Sequence, residues 1–277
     1  MMRLDGAVHV WSDDLLSYPW SPHDQHELPT IAGSAELLMS TLGSNGFDGA
    51  ICVQPRVYGY DHGYLISAIK KFPGKLAGIC LVNPVRPGGQ DELANLVENH
   101  GMSGVRLLPL AHINPCWFVD ESGDHIWSAA GALGIPVSVL VHPNQLEAVK
   151  LRARQFPSVS IVIDHLGLIS SNDDPHLSQL LECAVLPNVF VKISEQSYFV
   201  TQSSRNAVAE VARATFSAFG PERVIFGTDW PYSMEHGPWS DELELLEYAL
   251  GPNASGSLLL GGNADRLWKV SDQWRKK

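Results

Sequence analysis

The sequence predicts an α/β fold, a single-domain (β/α)8 TIM barrel, and three observations lead to this prediction. Short apolar segments alternate with longer amphipathic segments along the chain, and there are eight of the short ones. Strictly alternating units of this kind predict a parallel sheet, and eight of them favour closure into a barrel. The length of 277 residues is close to the about 250 that is typical of one such barrel. An open doubly wound sheet is the alternative, and we place one domain over residues 1–277.

The eight predicted strands are rich in apolar and β-branched residues. They span Leu4–Val10, Gly49–Gln54, Leu76–Val82, Ser103–Leu108, Pro136–Val141, Val159–Asp164, Val189–Ile193 and Val224–Gly227. Several of them are almost continuously apolar, as expected of parallel strands that are buried on both faces. Amphipathic patterns predict helices at 34–44, 62–72, 90–99, 124–133, 144–155, 175–185, 205–219 and 240–250, and a short closing helix in the segment GGNADRLWKV.

The composition limits the partners of the protein. A formal net charge of −11 argues against nucleic acid or an anionic membrane, because both require a basic surface. A small anionic substrate remains compatible, since a few local arginines can outweigh the overall charge. No apolar segment reaches the ~18 residues that a membrane span needs. The four cysteines are far apart in the sequence, which is typical of reduced thiols. We therefore expect a cytoplasmic protein with a small-molecule partner. The sequence does not indicate whether the protein is a monomer or an oligomer.

Two of the predicted βα loops are long and contain aromatic and histidine residues. In a barrel these loops lie at the C-terminal face, where active sites form. The loops either cover a pocket as a lid or pack their aromatic side chains onto the barrel rim. The residues concerned are Tyr18, Trp20, His23 and His26 in Ser12–Thr30, and His112, Trp117 and Phe118 in Pro109–Gly123.

Polar residues fall in or directly after six of the predicted strands. In a closed barrel such side chains share one mouth, which is the geometry that a metal site or a general acid–base cluster requires. A single histidine at a strand end is more often a hydrogen-bonded core residue, so the argument depends on several polar residues converging. In chain order they are His9, Arg106, His142, His165, Lys192 and Asp229.

Five motifs resemble the amidohydrolase superfamily. DGAVHVW is similar to the D-x-H-x-H-x-[WF] opening of its amidohydrolase-related family 2, a branch that contains sugar lactonases, pyrone-dicarboxylate lactonase and aminocarboxymuconate-semialdehyde decarboxylase. The second strand and following helix of that branch resemble VQPRVYGYDHGYLISA, and its sixth strand resembles VIDHLG. Its eighth strand resembles FGTDWP, and its closing helix resembles LLGGNADRLWKV. The motifs occur in the family order from residue 5 to residue 270. The resemblance therefore implies the fold and the branch, but not the substrate.

The resemblance also implies roles for four residues. His9 matches the second histidine of the strand-one pair, and His142 in LVHP matches a strand-five histidine that ligates metal in zinc-dependent members. His165 matches a strand-six histidine that orients the substrate or transfers protons. Asp229 matches the strand-eight aspartate, which accepts a proton from the attacking water and touches the metal where one is present.

Ala7 departs from the family pattern, which has a histidine at this position. Alanine offers no lone pair, so one expected metal ligand is missing. His9, His142 and Asp229 remain, and three protein ligands plus water suffice for a catalytic zinc. We therefore predict either no cofactor or one divalent metal, zinc if a metal is present. Three competing explanations would account for Ala7: natural metal-independent catalysis, a weakened metal site, or an engineered replacement of the ligand.

The function predicted from these residues is hydrolysis of a lactone or a similar cyclic ester. Asp229 serves as general base, assisted by His165, and a cation or hydrogen-bond donor stabilises the developing oxyanion. Arg106 and Arg56 are predicted to bind a substrate carboxylate. The remaining predicted substrate-binding residues are Tyr58, His62, Lys192 and Tyr198.

Two alternatives from other functional classes stay open. The first is non-oxidative decarboxylation of an aromatic or muconate-type acid, which depends more strongly on metal and is disfavoured by Ala7. The second is a non-catalytic barrel that binds a ligand, for which Ala7 is the supporting observation and Asp229 and His165 are the counter-argument. The sequence contains no GxSxG, GxxxxGK[ST] or GxGxxG motif, so serine hydrolases, nucleotide hydrolases and dehydrogenases are disfavoured.

Overall fold

A computed structural model describes residues 1–21, 29–109 and 115–274 of the chain. It contains one sheet of eight parallel strands in the order β1-β2-β3-β4-β5-β6-β7-β8. All eight predicted strands are present, several of them shorter than predicted. The strands are β1 Leu4–Val8, β2 Gly49–Val53, β3 Leu76–Leu81, β4 Met102–Leu107, β5 Val137–Val139, β6 Ile161–Ile163, β7 Val189–Ile193 and β8 Val224–Phe226.

The sheet closes into a barrel between the end of β1 and the segment that follows β8. The backbone N–H of Asp229 donates to the carbonyl of Ala7 over 2.8 Å, and the N–H of His9 donates to the carbonyl of Trp230 over 2.6 Å. Val8 and Trp230 form a parallel bridge at the same place. The predicted barrel is therefore confirmed, and the open-sheet alternative is wrong.

Helices follow the strands as the alternation predicted, with one addition. They are α1 Ala35–Ser44, α2 Gly63–Lys71, α3 Gly89–His100, α4 Asp124–Leu133, α5 Leu146–Gln155, α6 Leu177–Glu182, α7 Gln196–Gln202, α8 Arg205–Phe219, α9 Trp239–Leu250 and α10 Asn263–Trp268. Ser34 and Ser204 cap α1 and α8 by accepting backbone N–H groups. The short helix α7 was not predicted. Across the described ranges, none of these helices has the length and apolar character that crossing a bilayer demands.

The closing helix α10 seals the N-terminal end of the barrel. Its residues Leu267 and Trp268 pack with inward-facing strand residues such as Ile51, Ile79 and Val162. Gly104 in β4 makes room for this plug, because a Cβ there would lie 2.9 Å from Trp268 Nε1. Burying such large apolar side chains stabilises the fold by about 1.5–3 kcal/mol each. Only the C-terminal end of the barrel is therefore left for chemistry.

The two long βα loops differ in how their aromatic residues are placed. Trp117 and Phe118 are buried in the main core, so these two side chains pack onto the barrel. Tyr18 and Trp20 are half-buried against a small cluster that includes Tyr58. His23, His26 and His112 lie outside the described residues.

Candidate active site

Three of the predicted residues meet beyond the C-terminal ends of the barrel strands. His9 follows β1, His165 follows β6 and Asp229 follows β8. Asp229 Oδ1 lies 3.3 Å from His9 Nε2 and 3.7 Å from His165 Nε2. All three side chains are almost completely buried. The structure thus brings together one carboxylate and two imidazoles at the open end of the barrel.

The turn that carries Asp229 is held by a buried carboxylate at the start of β1. Asp5 Oδ1 accepts the backbone N–H of Thr228 over 3.0 Å, and Asp5 Oδ2 accepts its hydroxyl over 2.7 Å. The indole Nε1 of Trp239 also donates to Asp5 Oδ2, over 3.1 Å. Burial raises the pKa of Asp5 to about 6, although these hydrogen bonds act in the opposite direction. Asp5 therefore fixes the backbone on which Asp229 stands.

Asp229 is ionised in this setting. Burial by itself would raise its pKa, but the neighbouring His165, His9 and Arg106 outweigh burial and hold the pKa of Asp229 well below its usual range. An ionised, buried carboxylate close to the barrel mouth is the state that a general base requires.

His165 is neutral near pH 7 because burial lowers its pKa to about 4. Its Nε2 lies 3.4 Å from Arg106 Nη2, and its Nδ1 lies 3.0 Å from Ser194 Oγ. A guanidinium only donates hydrogen bonds, so Nε2 must accept from Arg106 and the single ring proton must sit on Nδ1. This arrangement defines the tautomer of His165.

Arg106 belongs to a buried ion-pair group below His165. Its Nε donates to Asp164 Oδ2 over 2.7 Å, and Lys192 Nζ lies 2.9 Å from Asp164 Oδ1. Burial would raise the pKa of Asp164, but Lys192 and Arg106 outweigh it and lower the pKa to about 2. Asp164 was not singled out in the sequence, although it directly precedes His165 in VIDHLG.

Lys192, which is predicted to bind substrate, is completely buried, and its role in substrate binding remains a prediction. The side chain has 0% exposure, and its ammonium lies against Asp164 and 5.2 Å from the ring centre of Trp268. Lys192 lies within β7 with its side chain directed into the barrel, so it contacts the side chains below the mouth. Its charge holds Asp164, which in turn holds Arg106.

Glu195 is a further member of the site that the sequence analysis missed. It follows β7, and its Oε2 lies 3.6 Å from His165 Nδ1. Burial first, and then the nearby carboxylates of Asp229 and Glu242, raise its pKa well above the usual range. The acidic residue directly after a predicted strand, in the segment KISE, is the signal that could have indicated it.

Three residues of the site share an unusual backbone conformation. His165, Glu195 and Asp229 have φ angles of 49°, 61° and 62°, in the left-handed region that non-glycine residues seldom adopt. Such conformations cost about 1–3 kcal/mol each and concentrate at functional sites. Their occurrence at all three positions supports assignment of this cluster as the active site.

The same residues could hold a divalent cation. Ligand atoms of His165, Glu195 and Asp229 all lie within 4.8 Å of one another. His9 Nδ1 donates to the carbonyl of Val53 over 2.9 Å, which leaves Nε2 facing Asp229 with a lone pair or a second proton. Imidazole nitrogen and carboxylate oxygen are ligands that zinc accepts. The donor set therefore fits the predicted metal, with His165 Nε2 binding the ion in place of Arg106 and with Glu195 as a ligand that was not predicted from the sequence.

His142 is placed differently from its prediction as a metal ligand. The strand β5 ends at Val139, so His142 falls in the following loop, and its side chain is exposed. Its backbone N–H donates to Gln145 Oε1 over 2.8 Å at the start of a helical turn. Among the described residues, no hydrogen bond or ion pair joins its imidazole to His9, His165 or Asp229. A role for His142 in metal binding remains a prediction.

The other predicted substrate-binding residues have contacts of their own near the barrel mouth. His62 Nε2 accepts the backbone N–H of Leu81 over 3.1 Å, and burial lowers the pKa of His62 to about 4. The hydroxyl of Tyr58 accepts the backbone N–H of Ser12 over 2.8 Å. Two further predicted residues are half-buried: Arg56 in the turn after β2, and Tyr198 in α7 with its ring centre 5.2 Å from that of His236.

Comparison with known proteins agrees with this fold. The chain is 25% identical to an L-fucono-1,5-lactonase from Burkholderia ambifaria over an alignment that covers 97% of this chain and 96% of that protein. It is 26% identical to a 4-sulfomuconolactone hydrolase from Hydrogenophaga intermedia over 239 residues, which cover 83% of this chain and 74% of the relative.

A solved structure and a family model extend the comparison. The crystal structure of a protein assigned as a 2-pyrone-4,6-dicarboxylic acid hydrolase, from Pseudomonas putida, superposes with a TM-score of 0.83 at 23% identity, covering 97% of this chain and 98% of that one. That likeness supports the fold. The family model described as Amidohydrolase matches residues 4–270, nearly the whole length. The chain therefore belongs to the amidohydrolase family.

Proposed function

We propose that the protein hydrolyses a lactone or a similar cyclic ester, with Asp229 as the general base. The observation that carries the proposal is the ionised carboxylate of Asp229 beside a neutral His165 at the open end of the barrel. The activities named for the two curated relatives, which both act on lactones, support the same reaction class.

The proposed reaction begins with attack of water on the lactone carbonyl carbon. Asp229 accepts a proton from the water as the new C–O bond forms, and the carbonyl oxygen becomes an oxyanion. The guanidinium of Arg106, which contacts Asp164 and His165, is the cation that we propose stabilises that oxyanion. The ring C–O bond then breaks, and the leaving alkoxide takes the proton from Asp229. The product is the open hydroxy acid.

In this scheme His165 is a hydrogen-bonding partner that holds the Arg106 guanidinium in place. Because its Nδ1 proton is directed to Ser194 and its Nε2 accepts from Arg106, the imidazole orients the guanidinium toward the substrate. A divalent metal held by His9, His165, Glu195 and Asp229 would add polarisation of the carbonyl and acidify the attacking water.

The substrate that we propose is a small molecule carrying a carboxylate. Arg106 offers a charge-assisted contact, and Arg56 is a second proposed contact at the barrel mouth. The proposed location is the cytoplasm, on the basis of composition and of four cysteines that lie far apart in the sequence. Tyr58, His62 and Tyr198 stay proposals as pocket residues.

A lactone panel tests the proposed function. Sugar lactones and unsaturated lactones, with and without a carboxylate, would be incubated with the purified protein, with and without chelator, and ring opening followed by acid release. We expect opening of at least one lactone and its loss in Asp229→Asn. Full activity of that variant would contradict the assignment. Release of CO2 from an aromatic or muconate-type acid would favour decarboxylation, and tight binding without turnover would favour a ligand-binding barrel.

Metal content tests the cofactor prediction. The purified protein and Ala7→His would be loaded with zinc, dialysed and measured by elemental analysis. Uptake of one zinc together with higher activity in Ala7→His would show that Ala7 weakens a metal site. If neither zinc uptake nor activity changes, the metal-independent reading is favoured.

A further inference from the structure

The helix α7 begins directly after the active-site residue Glu195, and its first N–H groups need acceptors. A helix normally obtains one from the side chain of the preceding residue. Glu195 occupies that position, but it has φ 61° and ψ 28° and its side chain makes no capping hydrogen bond. Its carboxyl group lies near His165 Nδ1 instead. The residue that would ordinarily cap α7 is therefore committed to the site.

Glu242 in the first turn of α9 supplies the missing cap. Its Oε2 accepts the N–H of Gln196 over 2.8 Å, and its Oε1 accepts the N–H of Ser197 over 2.9 Å as well as the Ser197 hydroxyl. The side-chain amide of Gln196 donates back to the carbonyl of Glu242 over 3.2 Å. One carboxylate and one carbonyl of α9 thus fasten the start of α7.

Glu242 is costly to keep at this position. It has 0% exposure, and burial raises its pKa to about 7 in spite of the hydrogen bonds. In the parts of the chain that the structure describes, no lysine or arginine forms an ion pair with it. Burying a carboxyl group without a neighbouring cation destabilises a fold unless hydrogen bonds compensate for the lost hydration. Its three acceptor contacts are all made with the first two residues of α7.

We propose that Glu242 is a positioning residue for the hydrolysis. By capping α7 from a neighbouring helix, it leaves the Glu195 side chain free to face His165 and holds Ser194 and Glu195 at the distances that fix the His165 imidazole. The kinetic part of this inference rests on the proposed function, whereas the structural part, the coupling of Glu242 to His165, does not.

The kinetic test compares Glu242→Gln with a matched control. Glutamine keeps the size of the side chain but places an amide NH2 against a helix N–H, so the start of α7 should shift. We expect kcat to fall by about tenfold or more with a smaller change in KM, because small misplacements of reacting groups have large effects on rate.

Asp265→Asn is the control for a purely structural loss. Asp265 accepts the backbone N–H and the hydroxyl of Ser271 over 2.8 and 2.9 Å, the same type of contact at the sealed end of the barrel. We expect this variant to lower thermal stability while leaving kcat per folded molecule unchanged. Equal kcat losses in both variants would overturn the proposal. Ser197→Ala, which removes only the hydroxyl contact, provides a milder variant if Glu242→Gln does not fold, with a smaller kcat loss expected.

A second readout does not depend on activity. Ring 15N signals of the histidines would be recorded by long-range 1H–15N NMR, with His165 assigned by His165→Gln. We expect the His165 signals to move in Glu242→Gln and, less, in Ser197→Ala, while those of the distant His176 stay in place. Unchanged His165 signals in both variants would overturn the positioning role. If His165 moves but the wild type opens no lactone, the proposed function fails and the coupling of Glu242 to His165 stands.

Discussion

Two groups of residues that follow the barrel strands are similar in type but differ in what their side chains contact. On the side of β1, β6 and β8, His9 and His165 both face the carboxylate of Asp229. In the segments after β2 and β5, the Nε2 of His62 accepts the backbone N–H of Leu81, and His142 is exposed. The difference lies in the partner of the imidazole: His9 and His165 face the Asp229 carboxylate, whereas His62 Nε2 accepts a backbone N–H.

The largest effect that this comparison predicts concerns two aspartates, one inside the cluster and one outside it. Asp229→Asn should lower kcat on the lactone substrate by on the order of a thousandfold, because the general base is removed. Asp61→Asn is the matched variant: Asp61 Oδ1 accepts the N–H of Gly63 over 2.8 Å at the start of α2, outside the cluster. We expect near-normal kcat there. Steady-state kinetics would check both, and equal losses would break the comparison.

The two histidines give the next effect. His165→Gln removes the acceptor for Arg106 and the contact with Ser194, so kcat should fall by about a hundredfold. In His62→Gln the side-chain oxygen can still accept the N–H of Leu81, and we expect kcat within about threefold of wild type. Circular dichroism would establish that both variants are folded. A larger kcat loss in the His62 variant than in the His165 variant would contradict the assignment of His165, and not His62, to the active site.

A smaller effect is predicted for the arginines. Lysine at position 106 cannot contact both Asp164 and His165 as the planar guanidinium does. Arg106→Lys should therefore lower kcat by about tenfold, because the guanidinium is the proposed oxyanion partner, and should also raise KM for a carboxylate-bearing lactone. Arg56→Lys, on the β2 side, should raise KM less. The same substitutions measured on an uncharged lactone separate carboxylate binding from general damage to the site.

The smallest effect is the pH dependence of stability that Glu242 contributes. The folded protein keeps this carboxyl protonated up to about pH 7, whereas an unfolded chain releases the proton near its ordinary pKa of 4.5. Its contribution is therefore fully present below about pH 4 and is lost as pH rises through 7. Glu242→Gln should lower the free energy of unfolding more at pH 5 than at pH 8. Urea titrations would measure this, with the exposed Glu244→Gln as control, which should show no such difference.

The barrel could be predicted from the sequence because its signals are local. Each strand is an apolar segment between turn residues, so all eight strands and every predicted helix were found. The helix α7 was missed because it is short and depends on Glu242, a residue distant in the sequence. His142 was predicted at a strand end, but β5 stops at Val139, and strand ends depend on pairing with neighbours that the sequence does not display.

The site was predicted in part for similar reasons. His9, His165 and Asp229 could be recognised from their motifs, and the structure brings them together. The contributions of Glu195 and Asp164 depend on left-handed turns and on ion pairs between strands, which are set by the closed barrel. The burial of Lys192 likewise follows from its position beneath the mouth.

The central claim, attack of water on a lactone carbonyl beside Asp229, is tested most directly by isotope labelling. Turnover would be run in water enriched in 18O, and the product analysed by mass spectrometry with fragmentation. The account predicts one 18O atom in the new carboxylate of the product, with no label incorporated by Asp229→Asn. A product of unchanged mass, formed by isomerisation, or a product that has lost CO2 would contradict it.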